Sequence, residues 1–198
     1  MAGSDKPRWL VPKDHRTTNW ILREDDPVNG TRVRTEYEDL QCPQCLKVDE
    51  DQAILRGLPK SIVIRSTVDY LSSGDDFIVV SNRFVDFCEA EGIVGFRLAR
   101  LTDKYTLLLP GGSLAIFDPI SCGAEFLRPC KTCGRFRETV GLFAADGLLH
   151  PIAEKVILSI APSMESTRGR SCWFLTSCAT AKILKSAKMK GLDIDPLY

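Results

Sequence analysis

Histidine is scarce in this chain, and what else is missing narrows the chemistry further. Only His15 and His150 occur among 198 residues, far apart in sequence and each in a proline-flanked stretch. No G-x-S-x-G, P-loop, H-E-x-x-H or dinucleotide-binding glycine pattern accompanies them. Gly111-Gly112 lacks the surrounding spacing of a phosphate cradle. An excess of either charge is also missing: Lys+Arg and Asp+Glu both number 26, for a net charge of zero and a sequence pI of 6.7. A protein that neutralises a run of phosphates normally carries a basic domain, so nucleic acid is not the favoured partner. No apolar run approaches the roughly 18 residues of a membrane span, and Met1-Ala2-Gly3-Ser4-Asp5-Lys6 leads into no secretory h-region. No membrane partner is expected. Eight cysteines without a secretory signal point to a reducing compartment, the cytoplasm.

What the chain does have is a split pair of cysteine pairs. Cys42-Pro43-Gln44-Cys45 and Cys130-Lys131-Thr132-Cys133-Gly134 are both C-x-x-C. At this spacing one tight turn aims two thiolates at a single ion, and four sulfurs meet the tetrahedral demand of Zn²⁺ at about 2.3 Å. Pro43 fixes a φ inside the first pair, and Gly134 can take positive φ directly after the second. Residues 46 to 129 intervene, far more than the roughly 15–20 of a compact zinc ribbon. A domain-sized piece of chain must leave the first pair and return to the second. Redox pairs and inert buried thiols are the competing readings of any C-x-x-C. Two pairs in one short chain favour a structural Zn²⁺ held by Cys42, Cys45, Cys130 and Cys133, with no open position and no catalytic role. The P-C-x-x-C of Pro129 to Cys133 also belongs to the zinc deaminase signature, which needs an upstream H-x-E or C-x-E. Cys88-Glu89-Ala90-Glu91 offers C-x-x-E and misses by one residue, so the chain is not expected to be an enzyme.

Along the chain, residues 1–8 read as a polar, frayed start. Trp20-Ile21-Leu22 and Thr31 to Tyr37 flank the turn signal Asp25 to Gly30, a hairpin whose second strand delivers the first cysteine pair. Lys47 to Gln52 reads as a charged loop and Ile62-Val63-Ile64 as a strand. Phe77 to Val80 is a short apolar run expected of a buried strand, and Ser81 can cap a helix carrying Phe84, Phe87 and Cys88 on one face. Gly92 and Gly95 end it, and Phe96 to Ala99 alternates as a strand. Tyr105 to Leu109 and Leu114 to Phe117 flank Pro110-Gly111-Gly112-Ser113, a second hairpin signal. A loop through Cys122-Gly123 brings the chain to the second pair. Val140 to Ile160 suggests short strands or a turn around Asp146-Gly147, and Ser163 to Ser171 a polar loop.

The same order returns at the C-terminus. Trp173 to Thr176 is the strand, Ser177 the cap, Ile183, Leu184 and Ala187 the buried stripe, Gly191 the break, and Leu192 to Asp195 the second strand. Ser177 matches Ser81, Gly191 matches Gly95 and Leu197 matches Leu101 at one offset (177 − 81 = 96). Few identities survive, so chance likeness of two strand–helix–strand units competes with an internal repeat; coincident caps, stripes and breaks favour the repeat. Lys182, Lys185 and Lys188 lie outside the buried stripe. They form a solvated face or, less simply, a phosphate or acidic-partner site.

The order Cys42 to Cys45, Val80-Ser81-Asn82-Arg83-Phe84, Gly95-Phe96, then Cys130-Lys131-Thr132-Cys133-Gly134-Arg135 resembles the double-CXXCG motif proteins, which occur as expanded paralogue sets in myxobacteria. The likeness covers most of residues 40–198. Leu46 stands where the family's first motif carries Gly. Some members sit beside polymorphic toxin genes and act as immunity proteins. The resemblance therefore implies cytoplasmic binding of a cognate toxin protein.

The fold expected is α+β in a single domain over residues 1–198. It has two strand–helix–strand repeat units at about 77–101 and 173–197, β-hairpins, and a split Cys₄ zinc knuckle at 42–45 and 130–133. The function expected is a non-enzymatic, zinc-binding immunity-type protein that neutralises a cognate bacterial toxin. A zinc-ribbon scaffold or regulator engaging nucleic acid or a transcription complex is the alternative.

Overall fold

A computed structural model describes residues 6–13, 20–26, 30–112, 114–115, 118, 121, 125–140, 148–160 and 174–197. In chain order the strands are β1 (Arg8–Pro12), β2 (Arg23–Asp26), β3 (Gly30–Val33), β4 (Tyr70–Ser72), β5 (Ile78–Ser81), β6 (Phe96–Arg100) and β7 (Tyr105–Pro110). They continue with β8 (Leu114–Ala115), β9 (Glu125–Pro129), β10 (Phe136–Val140), β11 (Ile157–Ile160), β12 (Phe174–Thr176) and β13 (Leu192–Pro196). Among the described residues, the helices α1 (Glu50–Arg56), α2 (Asn82–Glu91) and α3 (Cys178–Ser186) and a 3₁₀ turn (Thr35–Leu40) join them. The chain is mixed α/β, with mostly antiparallel pairing.

Two sheets carry the core. One runs β4-β5-β7-β6 and the other β13-β1-β12-β11-β8. Alternation along β5 explains why Phe77 to Val80 reads as an unbroken apolar run. Ile78 and Val80 enter one cluster with Phe84, Cys88, Leu10, Phe174 and Leu184, between the two sheets. Phe77 and Val79 enter a second cluster with Ile21, Tyr37, Val48 and Ala53 on the opposite face. A strand buried on both faces has no polar side to show. The helices start where a hydroxyl can accept from a free N–H: Ser81 from Phe84 and Ser177 from Thr180.

The sheets are also tied through backbone. Asp69 N and Tyr70 N donate to Lys190 O, and Ile157 N donates to Val94 O. At the second tie Gly95 has φ 100, and a Cβ there would meet Ile157 O at 2.5 Å, so glycine is required. Asp69, 6% exposed, accepts from Ser81 Oγ, Arg83 Nη1 and Lys190 N at 2.7–2.9 Å. That junction joins the start of α2 to the end of the last helix–strand turn.

Several expectations change. Of the start expected to be frayed over residues 1–8, residues 1–5 lie outside the described residues, whereas Arg8 already opens β1, which sits inside the five-stranded sheet between β12 and β13. The first hairpin forms from β2 and β3, closer to the turn than expected, and the 3₁₀ turn rather than a strand leads to Cys42. Inside the charged loop expected over Lys47 to Gln52, α1 begins at Glu50 and runs on to Arg56, capped by Asp49, whose carboxylate accepts from Gln52 N. Ile62 to Ile64 forms no strand, and the ladder begins at Tyr70 instead. The second hairpin does not form, because β7 pairs with β5 and β6 whereas β8 pairs parallel with β11. The expected features at Asp146-Gly147 and Ser163 to Ser171 lie outside the described residues.

Candidate metal centre

Each cysteine pair sits on a knuckle closed by the same backbone bonds. Cys42 N donates to Lys47 O at 2.8 Å and Leu46 N to Cys42 O at 2.9 Å. In the second, Cys130 N donates to Arg135 O and Gly134 N to Cys130 O, both at 2.8 Å. The closing pairs Gln41–Val48 and Pro129–Phe136 complete two equivalent bends, the latter at the neck of the β9–β10 hairpin. Such a bend turns the chain through positive φ just after the second cysteine: Gly134 has φ 73 and Leu46, where a Cβ must be accommodated, φ 60.

The knuckles face each other. Cys42 Sγ lies 3.7 Å from Cys130 Sγ and Cys45 Sγ 3.5 Å from Cys133 Sγ. All four sulfurs lie within 4.8 Å of one another. A regular tetrahedron with Zn–S of about 2.3 Å has S–S edges of roughly 3.8 Å, so the two facing distances are the size such an ion requires. The sequence-chosen ligands, 88 residues apart across the pairs, are brought together as one group. The donor set is compatible with a metal ion.

Polar contacts around the sulfurs fix the two knuckles against each other. Gln44 Oε1 accepts from Thr132 Oγ1 at 2.9 Å and from Cys130 Sγ at 3.4 Å. Lys47 Nζ reaches Phe136 O at 3.4 Å, and Arg135 Nη1 reaches Val48 O at 2.6 Å. These crossing contacts were missed in the sequence, although Lys47 and Arg135 hold the same place after their cysteine pairs. The Cys133 and Thr132 backbone N–H groups draw the Cys130 thiol down to about 6, against the opposing effect of burial. Cys45 and Gln44 N–H groups likewise lower Cys42. Burial instead pushes Cys45 up to about 12, a cost that a coordinated cation offsets.

The other sequence candidates stand apart. Cys88 is fully buried between the sheets, where desolvation raises its thiol to about 12, and it fills core. Lys182, Lys185 and Lys188 are exposed on and after α3, and Asp86 and Glu89 are exposed on α2. His150 is exposed, and His15 lies outside the described residues. Among the described residues no helix is long and apolar enough to cross a membrane. No protein-family model matches this chain, and a search of curated proteins finds no match.

Proposed function

We propose that this chain is a zinc-stapled, non-enzymatic binding protein of the immunity type, which neutralises a cognate toxin protein in the cytoplasm. The observation that carries the reading is the four-sulfur cluster. Four thiolates on Zn²⁺ fill its tetrahedral shell and leave no place for a substrate or an activated water. Such an ion supplies cross-linking, and its binding energy is folding energy. The residues that carry the likeness to the double-CXXCG proteins fit a scaffold role. Ser81 caps α2, Arg83 bonds Asp69 and Ala187 O, Phe84 is buried, and Gly95 lets the sheets approach. Recognition then falls to exposed side chains outside that motif, with a few anchors dominating affinity.

The scaffold itself we read as two copies of one unit. Strand, helix and strand start at Ile78, Asn82 and Phe96, and again near Phe174, Cys178 and Leu192, at the offset of 177 − 81 = 96. β7 lies between β5 and β6 just as β1 lies between β12 and β13. Positive φ recurs at Gly92 and Lys188 (66 and 49) and at Gly95 and Gly191 (100 and 82). The knuckles precede the two units in the same order, 88 residues apart. A duplication in which β1 fills the place of β7 in the second unit accounts for all four correspondences.

Co-expression with the adjacent reading frame of its genome tests the function. A toxic neighbour, rescue by this chain, and co-purification of the two support it. A harmless neighbour, or zinc-dependent binding to nucleic acid by the purified chain, contradicts it.

A further inference from the structure

The four sulfurs of the metal centre are not equally sheltered. Cys133 is exposed, Cys42 and Cys45 are half-buried, and Cys130 is 2% exposed. A metal holds its sulfurs as thiolates, the form that oxidants attack, and attack follows exposure. Cys133 is therefore the sulfur that a small oxidant meets first. Its neighbour across the knuckles, Cys45 Sγ, lies 3.5 Å away, the shorter of the two facing distances. A disulfide needs about 2.05 Å, so a movement of roughly 1.5 Å would join them. Contacts that do not pass through the sulfurs hold the knuckles together meanwhile. They are the bond from Thr132 Oγ1 to Gln44 Oε1 and the reach of Lys47 and Arg135 to the opposite knuckle.

We propose that a hydroperoxide converts this centre from a metal staple to a covalent one, by forming a disulfide between Cys45 and Cys133. The proposal rests on the reading of the four cysteines as zinc ligands. In the first step the Cys133 thiolate attacks one peroxide oxygen. An S–O bond forms, the O–O bond breaks, and the departing oxygen takes a proton and leaves as water (or as an alcohol from an organic hydroperoxide). In the second step the Cys45 thiolate attacks the sulfenic sulfur of Cys133. The S–S bond forms, and the hydroxyl leaves with a second proton as water. The two sulfurs have given two electrons and the peroxide has taken them. With both sulfurs withdrawn, only Cys42 and Cys130 remain for an ion that requires four ligands, and zinc is released.

The crossed bond is favoured over one inside either C-x-x-C. A bond within a knuckle closes a ring of four residues, whereas Cys45 and Cys133 are 88 residues apart. Closing the longer loop takes far more freedom from the unfolded chain, so the crossed product is the more stable one. All four sulfurs lie within 4.8 Å of one another, so the thiols left at Cys42 and Cys130 can exchange a wrongly placed disulfide for the crossed one. The knuckles thus stay joined when the metal is lost. A thiol reductant and fresh zinc restore the original centre.

Hydrogen peroxide added in about one equivalent to the full, zinc-loaded chain tests this, with zinc release followed by a chelating dye. Unreduced peptides are then mapped by tandem mass spectrometry, trypsin separating Cys130 from Cys133 at Lys131. Zinc release should keep pace with the appearance of a Cys45–Cys133 link. The oxidised chain should melt above the reduced, metal-free chain, and dithiothreitol with zinc should return the starting melting temperature. A zinc-loaded chain that keeps its metal under peroxide overturns the proposal alone. So does one that links Cys42 to Cys45 or Cys130 to Cys133 instead, or one whose oxidised form melts no higher than its reduced, metal-free form. A chain that holds no zinc before peroxide is added, its four thiols free, overturns the metal centre itself and the exchange with it.

Discussion

At the bend that closes each cysteine pair, the second knuckle carries Gly134 at φ 73 and the first carries Leu46 at φ 60. The hydrogen bonds around the two bends match one for one, so the backbone path is common and only the residue differs. Left-handed backbone costs a residue with a Cβ about 1–2 kcal/mol, which glycine escapes. Leu46 returns nothing through burial, being 59% exposed. The first knuckle is therefore held in its bend by its surroundings: the sulfurs it must present, the bond from Gln41 Nε2 to Leu46 O, and the crossing contacts of Lys47 and Arg135. The second is bent by its own sequence.

The largest way to break this comparison is to remove a sulfur. Structural zinc contributes roughly 10–16 kcal/mol of apparent binding energy in small domains, as large as the whole stability of a typical domain. Cys133→Ser should abolish metal binding and lower the melting temperature far more than Cys88→Ser, which leaves a hydroxyl in the core at a cost of about 1–3 kcal/mol. Exposure alone would rank them the other way, since Cys133 is exposed and Cys88 fully buried. Equal melting temperatures would remove the shared metal site.

A finer test exchanges the bend residues. A Cβ at Gly134 meets no atom within 4 Å, so Gly134→Ala isolates the backbone cost, about 1–2 kcal/mol. Leu46→Gly should move stability the other way by a smaller amount. The relieved strain is partly offset by the roughly 0.5–1 kcal/mol that glycine loses in chain entropy. For a chain of this size each kcal/mol shifts the melting temperature by about 2–4 °C, within reach of calorimetry. If Leu46→Gly destabilises, that leucine has a partner the bend geometry does not reveal.

How much of this was legible in the sequence follows the range of the interactions. The cysteine pairs, the caps Ser81 and Ser177, and the apolar runs before them are signals within a few residues, and they held. The capping pattern from Asp49 to Gln52 was equally local, yet the surrounding charge led to a loop being expected where α1 forms. Partner choice between strands was not legible. Nothing in Arg8 to Pro12 says that it will enter a sheet whose other members lie beyond residue 113. Likewise, Pro110 to Ser113 carries turn chemistry that serves a crossing between sheets as well as it serves a hairpin. Ile62 to Ile64 has strand composition, yet it pairs with no strand among the described residues.

Elemental analysis of the purified chain, coupled to thiol alkylation and mass mapping, bears most directly on the split metal centre. About one zinc per chain is expected, with Cys42, Cys45, Cys130 and Cys133 protected together until a chelator removes the metal, then alkylated together. A metal-free chain whose four cysteines are reduced and alkylate at once would contradict it.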